Sequence, residues 1–156
     1  MKKKISIVFL LLTLLFTNTV FAAMPTIRAD RQYFDITSGL QVLSGNVYIE
    51  HKNRVVTAGE ARTNYVEVWA SGGVTFTQGD IYFTGSTVYV SFPKNLAQIS
   101  GGISFSRSGL QITANQVDFN WKTKVADFSG NVQVTQDGNS WSADTASYNV
   151  INNSFL

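Results

Sequence analysis

The sequence predicts an all-β protein of repeated antiparallel hairpins, folded into an open-ended, V-shaped β-jelly roll. Three observations predict it. The tetrapeptide Ser-Gly-Asn-Val occurs at 44–47 and 129–132, with Ser-Gly-Gly-Val at 71–74 and Ser-Gly-Gly-Ile at 100–103 between them. The segments around each copy alternate apolar and polar residues with period two, the signature of strands. Between successive copies the alternation slips by one residue at a matching place, as a β-bulge or corner leaves it.

Residues 1–22 stand apart from this pattern. Lys2, Lys3 and Lys4 form a basic start, "ISIVFLLLTLLF" an apolar core, and Val20-Phe21-Ala22 a small-residue cleavage site. This arrangement predicts a secretory signal peptide cut after Ala22, leaving 23–156 as one exported domain. The alternative is an uncleaved membrane anchor, for which the apolar run is short against the roughly 20 residues of a span. Cleavage removes three of the twelve basic residues, so nine face ten acidic ones. A near-neutral surface offers no electrostatic footprint for nucleic acid, and that partner class is rejected. The chain has no Cys, hence neither disulfide staples nor thiolate metal ligands. The remaining length suffices for an unstapled core.

Taken in order, the units are alike. "TIRADRQYFDITSGLQVLSGNV" (26–47), "YFTGSTVYVSFPKNLAQISGGI" (82–103) and "QITANQVDFNWKTKVADFSGNV" (111–132) align on their Ser-Gly. "VVTAGEARTNYVEVWA", before Ser71, is two residues shorter, and the deletion is expected in its turn. The last copy starts at Ser140 and runs to Leu156. After each Ser-Gly one face is apolar: Val47/Ile49, Val74/Phe76, Ile103/Phe105 and Val132/Val134. The preceding strands show the slip, as in Ile112 and Ala114 followed by Val117, Phe119 and Trp121. Self-similarity at this period signals a repeated architecture. Glycine within a strand marks a bend or a close approach. Short polar connections such as "PKN" and "QDGN" fit hairpins. A right-handed parallel β-helix is the competing architecture.

With "RADRQYFD" (28–35), "ITANQVDFN" (112–120), "SADTASYN" (142–149) and the phased Ser-Gly-Asn-Val copies, residues 26–156 resemble the LptA/OstA-like family of periplasmic lipopolysaccharide-transport proteins. The resemblance implies a β-jelly roll that stacks end to end as a homo-oligomer. It implies lipopolysaccharide as ligand, with LptC-like partners at the inner membrane and LptD-like partners at the outer membrane. Lipid A acyl chains would then lie in a groove among Val47, Ile49, Val74, Phe76, Ile103, Phe105, Phe119, Val132 and Val134. The terminal segment "ASYNVINNSFL" has no charge after Asp144 and no Pro. An edge so unguarded is an interface for strand addition, and Tyr148, Val150, Phe155 and Leu156 are its candidate residues. Two rival readings remain: an exported structural or adhesive β-solenoid scaffold, and a membrane-anchored LptC-like subunit if the leader stays.

The groove residues are equally those of an ordinary core. Asp30, Asn115 and Asp144 recur beside the slip, where such side chains commonly satisfy backbone groups. Lys52, Arg54, Arg62 and Arg107 are candidate contacts for lipid phosphates and otherwise solvated surface. His51 is the sole histidine, expected exposed at a strand end. No nucleophile–base set, phosphate loop or metal-ligand spacing can be assembled, so no enzyme, cofactor or metal is expected.

Overall fold

A computed structural model of the protein describes residues 23–156; the expected leader, 1–22, lies outside them. The strands are β1 (Thr26–Arg28), β2 (Arg31–Asp35), β3 (Leu40–His51), β4 (Arg54–Thr63), β5 (Glu67–Gln78), β6 (Ile81–Ser91), β7 (Leu96–Arg107), β8 (Leu110–Asn120), β9 (Val125–Gln136), β10 (Asn139–Asn149) and β11 (Ser154–Phe155). From β3 onward each strand pairs with the next, while β1 and β2 lie in line against the two halves of β3. Every pairing is antiparallel, which excludes the parallel β-helix. The sheet stays open, running from the β1/β2 edge to β11. The shortened unit loses one residue in its turn, three at 64–66 against four at 92–95 and 121–124, and one from β4, ten residues long against eleven in β6 and β8.

The repeated tetrapeptide is a corner. On β3, β5, β7 and β9 the two residues after its Ser both have positive φ: Gly45/Asn46, Gly72/Gly73, Gly101/Gly102 and Gly130/Asn131. These conformations belong to Gly and, among other residues, most readily to Asn. On β7, Ser100 pairs with Gln116 and Ile103 with Ala114, so Gly101 and Gly102 lie opposite Asn115 alone. Two residues against one is a bulge, and it bends the strand while shifting the apolar phase. The space above the corner is filled from the other neighbouring strand. A Cβ on Gly101 would lie 2.5 Å from Ser86 Cβ. Ser86 Oγ in turn donates to the Gly101 carbonyl at 2.7 Å. At the first corner Asp30 accepts from Asn46 Nδ2 at 2.9 Å, and its own N–H donates to the Gly45 carbonyl.

The corners divide the sheet into two layers. One holds β2, the first halves of β3, β5, β7 and β9, and the second halves of β4, β6, β8 and β10. The other holds β1 and the remaining halves. Their inner faces meet with a stagger of two to three strands: Phe83 of β6 lies 5.5 Å from Phe119 of β8, and Phe105 of β7 lies 6.1 Å from Phe128 of β9. Phe76 of β5 packs on Phe119 of β8 at 6.0 Å between ring centroids, Phe83 of β6 on Phe128 of β9 at 6.4 Å, and Phe105 of β7 on Tyr148 of β10 at 5.9 Å. Phe76, Phe83, Phe105 and Phe119 are completely buried. Each contributes roughly 1.5–3 kcal/mol over leaving it in water.

Candidate functional site

The fold gathers the nine groove candidates into one core. Val47, Ile49, Val74, Phe76, Ile103, Phe105, Phe119, Val132 and Val134 are each no more than 2 % exposed. The facing layer packs against them, so they form a packed interior. Small residues on the same face serve close packing: a Cβ on Gly85 would fall 2.5 Å from Ile99 Cγ2.

The two layers also meet at the mouth of the V, where the hairpin turns lie. The His51 and Phe92 ring centroids are 4.3 Å apart. The Arg54 guanidinium sits 4.5 Å above the Trp121 ring, whose Nε1–H donates to Asn95 Oδ1 at 3.0 Å. Farther along, Arg107 donates to the Val150 carbonyl and to the Asp80 carboxylate. Sequence reasoning put His51 on the surface; the structure half-buries it against the opposite layer. Lys52, Lys94 and Lys122 are exposed turn residues of the mouth.

This mouth is polar and poorly satisfied. His51 pairs with Arg54, and Arg54 with Gln78, across β3, β4 and β5. His51 Nδ1, Arg54 Nε and Gln78 Oε1 are buried without a hydrogen-bond partner. Leaving such a group unsatisfied costs about 1–3 kcal/mol. Burial, then the charges of Lys52 and Arg54, push the His51 pKa below its ordinary value. Burial lowers that of Arg54 as well. Parting the layers here would hydrate all three groups, at the loss of the His51–Phe92 and Arg54–Trp121 contacts.

The ends differ from each other. At the β2 end the inward register position Phe34 is 56 % exposed, and Ile36 beyond it is 88 % exposed. At the other end the four edge candidates separate. Tyr148 and Val150 belong to the core at 2 % and 1 % exposure, Phe155 is half-buried, and Leu156 is exposed. The terminal run, read as one edge strand, is a hairpin. Asn149 Oδ1 accepts from the Ile151 and Asn152 N–H groups, and Asn153 takes a positive φ. The chain then returns as β11, with Leu156 N–H bonded to the Ser147 carbonyl. Phe155 bridges the layers, its ring 5.1 Å from both Trp141 and Tyr148. The Asn149–Asn153 spacing is the signal that could have revealed this turn.

No protein-family model matches the chain, and no curated protein matches it either. Among solved structures it is similar to LptH of Pseudomonas aeruginosa, described as the LptA-homologous periplasmic component of the conserved lipopolysaccharide transport device. The identity is 13 %, over 85 % of this chain and 80 % of that one, with a TM-score of 0.37.

Proposed function

We propose that the protein is an exported, periplasmic lipopolysaccharide-binding transport component, without enzymatic activity, that shields acyl chains between its two layers. It stacks end to end within a bridge between inner- and outer-membrane partners of the LptC-like and LptD-like kinds. The observation that carries this reading is the open roll itself. A continuous apolar interior runs the length of the sheet and reaches uncovered inward positions, Phe34 at one end and Trp141 at the other. Acyl chains entering through the mouth would gain about 0.8 kcal/mol per buried methylene. That gain opposes the loss of ring contacts between the layers. The sugar-phosphate head would remain in water, and directed movement would draw its energy from the inner-membrane partner.

The test is a reversible lock across the mouth. The protein has no cysteine of its own, so His51→Cys with Phe92→Cys gives a single pair on facing layers, to be joined through reducible disulfides by a short bis-methanethiosulfonate linker, because facing sheets lie about 10 Å apart. Native mass spectrometry should show a lipid A-sized adduct on the reduced protein mixed with lipopolysaccharide, and none on the disulfide-closed form. Uptake by the closed form would refute binding between the layers. A reduced protein that ignores lipopolysaccharide would refute the carrier and favour the scaffold reading.

A further inference from the structure

The outer face of the layer that contains β2 carries a second site. A depression of about 860 Å³ lies there, within the roughly 300–1,000 Å³ usual for small-molecule sites. Its walls are one cross-strand row, in which Tyr33 pairs with Val42, Val42 with Arg62, Arg62 with Trp69, and Trp69 with Tyr89. Its floor is the next outward row, closer to the corners, where the short hydroxyl side chains of Ser44, Ser71, Thr87 and Ser100 are joined by Glu60, between Ser44 and Ser71, and by Gln116 beyond Ser100. Tall aromatic walls over a mainly hydroxyl floor make the hollow.

We propose that this depression binds an oligosaccharide. Trp69 and Tyr89 sit side by side on adjacent strands, ring centroids 5.7 Å apart and planes 32° from each other. The Tyr89 hydroxyl donates to the Glu67 carboxylate, which fixes its ring. Together the two rings offer an apolar face with polar tips, the surface against which the C–H face of a pyranose stacks. Around them stand groups that both donate and accept hydrogen bonds: the floor hydroxyls, Gln98 and Gln116. A ligand dense in hydroxyls matches that inventory.

Other ligand classes fit less well. Glu60 and Arg62 balance each other and no lysine lines the hollow, so a polyphosphate finds no net charge. Val42 is the single aliphatic side chain of the wall row, too little for a lipid tail. The backbone here is consumed by the sheet ladder, so a peptide cannot add as a strand. Tyr33 stands three strands from Trp69, about 14 Å at about 4.8 Å per strand. Two platforms so far apart suit several linked sugar rings better than one.

The experiment titrates the full exported chain with maltotetraose, chitotetraose and fully deacylated lipopolysaccharide oligosaccharide, following the three tryptophan indole N–H signals by NMR. The Trp69 signal should shift with at least one of them while that of Trp121, held by Asn95, stays in place. Tyr33→Ala and Trp69→Ala, both at exposed positions, should each weaken binding at least tenfold. Tyr82→Ala, exposed on the outer face of the other layer, should leave it unchanged. A Trp69 signal unmoved by all three sugars at millimolar concentration overturns the proposal, and so does equal loss in Tyr33→Ala and Tyr82→Ala. Sugars without acyl chains report on this face alone, so the outcome is independent of uptake between the layers.

Discussion

Replacing Gly101 and Gly102 one at a time with alanine separates the two demands that each corner makes on its residues. Gly102 has φ +75° and open space around a would-be Cβ. Its alanine variant therefore bears only the cost of the left-handed conformation, about 1–2 kcal/mol. Gly101 has φ +85°, and its Cβ would lie 2.5 Å from Ser86 Cβ and 2.6 Å from Ser86 Oγ. Ser86 would have to move, giving up its bond to the Gly101 carbonyl. Conformation, a lost hydrogen bond and overpacking together come to about 3–6 kcal/mol. Urea unfolding at constant m-value reads the difference as a shift in midpoint. Adding Ser86→Gly to Gly101→Ala should recover about 1–3 kcal/mol, as expected for residues in contact. Gly102→Asn should cost less than Gly102→Ala, because Asn already takes the same place at 46 and 131. Equal midpoints for the two alanine variants, or no recovery with Ser86→Gly, would refute the steric account of the corner.

Two further outcomes concern the mouth and the end. The folded protein holds the His51 pKa below its ordinary value of 6.5, so the folded state binds fewer protons than the unfolded chain. Stability is then full above about pH 6.5 and falls on acidification through that value toward the folded pKa. His51 is the sole histidine, so His51→Gln should flatten stability between pH 7.5 and 5; an unchanged slope would show that another group titrates. Deleting 154–156 removes the strand that pairs with Tyr148 and Asn149, freeing the β10 edge. Sedimentation should show more self-association, and an unchanged distribution would count against that edge as a contact surface.

The architecture was legible because one steric event recurs. Four phased Ser-Gly steps and four one-residue slips encode the corners, and the inward registers of Phe105, Phe119 and Val134 follow from period two alone. The closure of the layers was not legible. Whether Phe76 meets Phe119 or faces an open trough depends on the stagger between layers, which is set by sheet twist and leaves no mark in local pattern. The half-burial of His51 follows from the same stagger, whereas the separation of Tyr148 and Val150 from Leu156 follows from the terminal hairpin, which the Asn149–Asn153 spacing does signal. Trp69 and Tyr89 escaped notice for a different reason. They occupy the outward phase of the alternation, where an aromatic residue is also an ordinary strand former.

The stagger between the layers also bears on end-to-end assembly. It leaves the layer that contains β2 overhanging at one end and the layer that contains β1 overhanging at the other, so the two ends are unlike. A twofold dimer would join like to like, whereas a head-to-tail contact would join the two unlike overhangs. Such a contact is heterologous and does not close on itself. Any polymer built this way has a direction, and a molecule added at its growing tip meets the same unsatisfied surface as the one before it.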